Sequence, residues 1–368
     1  MIIENLRRSC LPLMILACAS TGMAQQTTTT TITETASDGT TKTTTTSVTE
    51  SSDWLKYVPK VNGIFRGQFQ QSTTDGESRF RVRNVRLRVN GYVMPMVDYL
   101  VQVDLCDKGK MKILDAYIKL KPAEGLAIMM GQERVPFSVE STRLPSEYHF
   151  TDISLVGKFG NLRSAGIKAG YRFANFPLYI EGGVFNSSDL DNHAVWHHAL
   201  TYSIKANYKA KCGLRPEVAF MSRVPGTTGM RINQYNGSLS WGNGNWFIEG
   251  EYIMRLYTQG EHRTSHAYNF FVDYGWPVNW KWAQRMSVQA RFDGMTEAIS
   301  GLFIDDEPTD DLMPERKRVT LGTTASYVNG RAHLDFRLNY EKYFYKSSVK
   351  DINPNDDDKL VASMILYF

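Results

Sequence analysis

The residues with the most chemical promise are cations placed at every second position. In VRLRVNG (85–91), Arg86 and Arg88 alternate with Val85, Leu87 and Val89. Alternate side chains of an extended strand point to opposite faces, so one face is apolar and the other carries guanidinium groups. A guanidinium presents a planar fork of donors that matches an oxyanion, whereas lysine acts as a point charge. VDYLVQVDL (97–105) places Asp98, Gln102 and Asp104 on its polar face, and LDAYIKLK (114–121) places Asp115, Tyr117, Lys119 and Lys121 there. A wall of Arg and Lys around water is how an anion pore chooses its ions. The competing role for such charges is to keep a barrel lumen wet and hold its shape.

The elements that must position these side chains are strands. Sixteen alternating segments run from 61–71 to 358–368. Connectors after even-numbered segments are short, such as 94–96, 122–125 and Asn329-Gly330, a two-residue hairpin signal. Those after odd-numbered segments include the long 133–163, 187–198, 294–316 and 345–357. The fold class expected is therefore all-β, a transmembrane antiparallel β-barrel of sixteen strands with short periplasmic turns and long external loops. The last segment supports this reading. Leu360, Ala362, Met364, Leu366 and Phe368 form an apolar face at a free C-terminus, an aggregation hazard unless it closes against the first strand. In that first strand Val61, Phe65 and Phe69 would meet lipid while Arg66, Gln68 and Gln70 face inward. Phe80 and Val82 are out of phase with Val85 and Leu87, which predicts a bulge near Asn84.

Composition sets bounds. The 368 residues are 42% hydrophobic and 12% aromatic, with a formal charge of only +4, and no helix-turn-helix or zinc-knuckle spacing points to nucleic acid. No apolar run is long enough for a membrane-spanning helix, a test to which barrels are blind. Arg7 and Arg8 before the apolar run 11–17 read as an export signal cleaved after Ala24, with lipidation at Cys18 as the alternative. Cys106 and Cys212 would remain, enough for one bridge in an oxidising compartment. The Thr-rich segment 25–56 has almost nothing to bury and reads as a disordered leader; the β-propensity of threonine is the competing consideration. The barrel would occupy 57–368.

FRVRNVRLRVNG (80–91), VDYLVQVDL (97–105), LDAYIKLKP (114–122), GQERVPFSVE (131–140) and, more weakly, RSAGI (163–167) resemble the phosphate-selective porin O/P family of outer-membrane channels. The resemblance spans roughly 61–170. It implies a sixteen-stranded, usually trimeric channel whose third long loop, here 133–163, folds into the lumen as a constriction. The terminal Phe368 resembles the signal that engages the barrel-assembly machinery. The sequence departs from the family in carrying Arg134 where lysine is usual, with Glu133 beside it.

On this phasing the candidate anion-binding residues are Arg66, Arg86, Arg88, Lys119, Lys121, Arg134, Lys168, Arg172 and Lys205. Inward positions of segments one to eight carry nine cations, these less Arg134 plus Lys209, against the four carboxylates Asp98, Asp104, Asp115 and Glu181. Inward charges of the later segments, Arg255, Arg291 and Arg337 against Glu249, Glu251, Asp335 and Glu341, are nearly balanced. His193, His197 and His198 share one connector without a cysteine and read as exposed surface rather than a metal site. No nucleophile–base spacing stands out, so neither an enzyme nor a cofactor is expected. The function expected is passive diffusion of small anions such as phosphate across an outer membrane of a two-membrane bacterium. A non-conducting structural or adhesion barrel is the first alternative, and an outer-membrane hydrolase the second.

Overall fold

A computed structural model describes residues 28–35, 41–48, 56–107, 109–187, 196–224, 230–258, 263–299, 312–346 and 356–368. The chain divides into two units, Met1–Val58 and Pro59–Phe368. In the first unit Thr28–Thr35 and Thr41–Val48, within the segment read as a leader, pair antiparallel. Threonine is β-branched, and its stiffness at χ1 favours extended backbone even where little is buried. The proposed signal segment, 1–24, and His193 lie outside the described residues.

The second unit is a closed barrel of sixteen strands. They are β1 Lys60–Ser72, β2 Ser78–Met94, β3 Val97–Asp107, β4 Lys110–Ala123, β5 Leu126–Arg134, β6 Arg163–Arg172, β7 Leu178–Phe185 and β8 Thr201–Tyr208. The remainder are β9 Leu214–Arg223, β10 Ile232–Asn243, β11 Trp246–Tyr257, β12 Ser265–Trp280, β13 Ala283–Met295, β14 Arg316–Asn329, β15 Ala332–Tyr345 and β16 Lys359–Tyr367. Each pairs antiparallel with its neighbours in sequence, and β16 closes on β1 from Lys359↔Ser72 to Tyr367↔Ile64. Phe368 continues that seam by exchanging backbone bonds with Gly63, 3.1 Å each way. Its ring lies where a Cβ at Gly63 would stand 2.5 Å away, which accounts for a glycine there. Gly330, in the β14–β15 turn, has φ +59°, as the tight Asn-Gly hairpin requires.

The barrel is turned inside out relative to a water-soluble domain. Phe65, Val101, Leu105, Ile118, Ile204, Val218, Leu239, Phe270, Leu321 and Met364 are exposed on its outer face, while Gln68, Gln102, Asn236, Glu251, Asn269, Arg291 and Glu341 are buried within. Exposed Tyr202, Tyr235, Tyr252 and Tyr340 lie toward the long-loop end, and Tyr92, Tyr171, Trp246, Trp280 and Trp282 toward the short-turn end. Two aromatic girdles around an apolar band are what a bilayer imposes. Cys106 and Cys212 are unpaired.

The long β5–β6 connector contains two short helices, α1 Val139–Thr142 and α2 Leu155–Gly160, with a 3-10 turn Pro145–Glu147 between them. Ser138 and Ser154 cap the helices by accepting from Ser141 N and Gly157 N. Val135, Phe137, Leu155, Val156, Phe159 and Leu162 of this loop pack against Phe185, Ala219, Met221, Ile253, Ala267 and Met295 of the wall. An apolar core therefore fills part of the lumen.

Candidate functional site

The path through the barrel is shaped by where the β5–β6 loop is fastened. Most inward arginines of β1 and β13–β15 are engaged in fastening it. Arg66 Nη1 donates to the carbonyl of Thr151 at 3.2 Å, Arg291 Nη1 to Asp152 at 3.0 Å and Arg318 Nη2 to Ile153 at 2.9 Å. Arg337 reaches Ser146 at 3.2 Å and Phe150 at 3.5 Å, so consecutive carbonyls from Phe150 to Ile153 each face a wall guanidinium. Carboxylates take the loop's N–H groups: Glu251 accepts from Val139 at 2.9 Å and Asp293 from Leu155 at 2.7 Å. Arg143 forks onto Glu249, with Nη1 2.8 Å from Oε1. Beneath the loop, Arg318 also grips Asp293 and Glu341 at 2.7 and 3.1 Å. These charges are satisfied in pairs and hold the loop in place.

Asp152 shows how strongly the loop is held. Burial alone would raise its carboxyl, yet Lys359, Arg81, Arg66 and Arg83 outweigh it and keep Asp152 well below the usual carboxylate range. Asp356 binds Lys158 of α2 at 2.6 Å and Arg316 at 2.9 Å.

The wall formed by β2–β6 is different. Opposite it stands the loop edge 142–148, where Thr142 and Glu147 are exposed and Arg143 and Tyr148 half-buried. Arg88 makes no hydrogen bond or ion pair among the described residues, and its Nε has no partner. Arg86 binds Asp104 at 2.8 Å through Nε but leaves Nη1 without a partner. Among the described residues Arg134 has no carboxylate within ion-pair reach and donates only to the carbonyl of Arg143, at 2.6 Å. Toward the short turns Lys119 and Lys121 share Asp98, at 3.4 and 2.7 Å.

The phases of β1 and β2 are those expected, including the bulge, whereas a second bulge in β4 turns Leu114, expected to face lipid, inward. Arg66 pairs with Asn84 and Gly67 with Val82, so Arg83 is the extra residue. Its consequence went unread in the sequence: Arg81 turns inward, to Gln68 at 2.9 Å and Asp152 at 3.7 Å, and Arg83 binds Asp107 at 2.7 Å. Three expected anion-binding residues face inward and are engaged by neighbours. Arg66 is 2% exposed beneath the loop, Lys168 is clamped between Glu133 and Glu181 at 2.8 and 3.1 Å, and Lys205 binds Glu217 at 2.8 Å. Arg172 lies at the short-turn end over the Tyr179 ring, away from the loop. Sequence reasoning missed Arg163, bound to Asp115 at 2.9 Å, and Arg318. Their phase within an alternating strand was available to find them; their partners were not.

Guanidinium groups without carboxylates, on a barrel wall facing an inserted loop, make an arrangement to compare with known proteins. Residues 61–212 match the family of phosphate-selective porins O and P. The porin likeness read from the strand motifs holds over that stretch. Among solved structures, the anion-selective porin from Comamonas acidovorans superposes with TM-score 0.59 at 12% identity, over 84% of this chain and 98% of that one. OmpT of Vibrio cholerae in its trimer form gives 0.57 at 12%, over 84% and 99%. Salmonella typhi OmpF in complex with daunomycin gives 0.57 at 13%, over 85% and 98%. No curated protein matches the sequence. At these identities the structures establish the shared fold, and with the family match they describe an outer-membrane barrel of the porin kind.

Proposed function

We propose that the chain is an outer-membrane diffusion channel that prefers small anions, phosphate or related oxyanions among them. The observation that carries this reading is the unpaired charge on β2 and β5: among the described residues Arg88 and Arg134 lack carboxylate partners and Arg86 keeps a free donor, all beside the open edge of the inserted loop. An anion entering there exchanges water for guanidinium donors, and cations meet an uncompensated positive field. Lys119 and Lys121, only partly neutralised by the single Asp98, extend that field toward the short turns. The free donors favour transient capture, while the width of a sixteen-stranded barrel allows release.

Export by a cleaved signal, assembly through the strand ending in Phe368, and association as a homotrimer complete the reading. The trimer form of OmpT supports the last point. A non-conducting structural barrel is the rival favoured by the apolar core within the lumen. Reconstitution in a planar bilayer under a salt gradient decides among these. Anion preference is expected from the sign of the reversal potential, and phosphate is expected to reduce chloride current. A cation-selective potential would refute the charge assignment, and insertion without conductance would establish the rival.

A further inference from the structure

Between loop residues 146–149 and β10–β16, at the short-turn end, lies a cavity of 510 Å³ whose chemistry differs from that of the β2–β6 wall. Its charged lining is Arg285 and Arg337 against Glu147, Asp273 and Asp335, two cations against three carboxylates, so it offers an anion no net attraction. The rest is rich in hydroxyl and amide groups, among them Ser287, Gln289, Thr324 and Ser326. Phe247 supplies an aromatic wall, stacked on His149 with centroids 4.7 Å apart, and the His333–Tyr367 stack, also 4.7 Å, forms the lower rim.

The hydrogen-bond inventory narrows the ligand. Asp273 uses Oδ2 to hold His149 Nδ1 at 2.6 Å, and its Oδ1 has no partner. Gln289 donates to Ser287 at 2.6 Å and Thr324 at 3.2 Å, and its Oε1 has no partner. Arg337 donates through Nη2 to Asp335 at 2.7 Å, and its Nε has no partner. Asp273, Gln289 and Arg337 are 4, 5 and 5% exposed. Among the described residues two buried acceptors and one buried donor of this wall lack partners, which suits a ligand able both to donate and to accept. Deprotonated oxyanions and halides only accept, whereas hydroxyl groups do both. Pockets of a few hundred Å³ with aromatic walls and a few convergent polar groups are the size and character of small-molecule sites.

We infer that this vestibule, at the short-turn mouth of the ion path, is a binding site for an uncharged, hydroxyl-rich molecule of sugar size. The site goes beyond the channel reading: it gives the barrel a second class of solute, held by hydroxyl and amide groups with an aromatic wall beneath.

The test uses the full chain in a planar bilayer, with maltose added on the short-turn side and polyethylene glycol of matched hydrodynamic radius as control. Maltose is expected to reduce ion current along a saturating curve, while the glycol produces a shallow, proportional decrease. Gln289→Leu with Ser287→Ala removes polar groups that do not touch the loop, and about one hydrogen bond lost per substitution is expected to raise the half-blocking concentration roughly five- to tenfold. Asp273→Asn keeps the shape while exchanging an acceptor for a donor and provides a second, independent variant. Identical behaviour of maltose and glycol overturns the inference, as does saturable block untouched by all these substitutions. Reversal potentials recorded in the same membranes report charge preference separately, so failure of sugar block and failure of the anion reading are distinguishable.

Discussion

Replacing Arg88 and Arg134 by glutamine tests whether unpaired guanidinium groups, rather than the total cation count, set selectivity. A unit charge about 6 Å from a passing ion in water-like surroundings contributes about 0.7 kcal/mol. Screening at about 0.1 M salt, where the Debye length is about 10 Å, reduces this to about 0.4 kcal/mol. That figure changes local anion concentration about twofold and cation concentration about twofold in the opposite sense, so each charge alters the permeability ratio about fourfold. The double variant should therefore lose on the order of tenfold in anion-over-cation preference. Glutamine retains a donor for the Arg143 carbonyl that Arg134 holds, which preserves the loop edge. The assay is the reversal potential across a tenfold KCl gradient, with heat-modifiable migration as the check on folding. The matched control is Lys205→Gln, whose charge is already opposed by Glu217 at 2.8 Å. A selectivity loss from Lys205→Gln equal to that of the double variant would refute the reasoning, because it would make charge count rather than pairing decisive.

Three further outcomes follow from the loop's attachment. Leu155 is fully buried in the lumenal core, and Leu155→Ala should loosen the loop by about 2–5 kcal/mol, read as added open-channel noise in a barrel of normal heat resistance; quiet traces would show that the core does not hold the loop. Arg318→Met removes the closest cation from Asp293 and Glu341, leaving them the longer contacts of Arg291, and should cost about 3–5 kcal/mol, measured as a lower thermal transition in detergent. An unchanged transition would remove the buried network from the account. Asp152 has a depressed carboxyl, so its contribution is complete above the unfolded value near about 3.9 and is lost as pH falls through the folded one. The stability gap between wild type and Asp152→Asn should stay level from about pH 8 to about pH 5 and close only in stronger acid; a gap that closes between those limits contradicts the assignment.

Much of the fold was legible because barrel strands carry a strictly local code. Apolar and polar residues alternate with period two, and a misplaced phase, as at Phe80 and Val82, announces the bulge that the Arg66–Asn84 and Gly67–Val82 pairs reveal. The inward orientation of Arg66, Arg86, Arg88, Lys168 and Lys205 followed from that alternation alone. Threonine's extended preference accounts for the pairing of Thr28–Thr35 with Thr41–Val48 in a segment with little to bury.

What the sequence could not supply was the partner of each inward charge. Lys168 meets Glu133 and Glu181 from the two neighbouring strands, and Arg66 meets a carbonyl 85 residues away. The sequence alone determined an antiparallel barrel with a cationic inner wall, since facing depends only on a residue's place in its own strand. Tertiary structure decided which cations hold the loop, which neutralise one another and which stay free. Those outcomes depend on cross-strand register and on a loop that spans the lumen, and no local period encodes either.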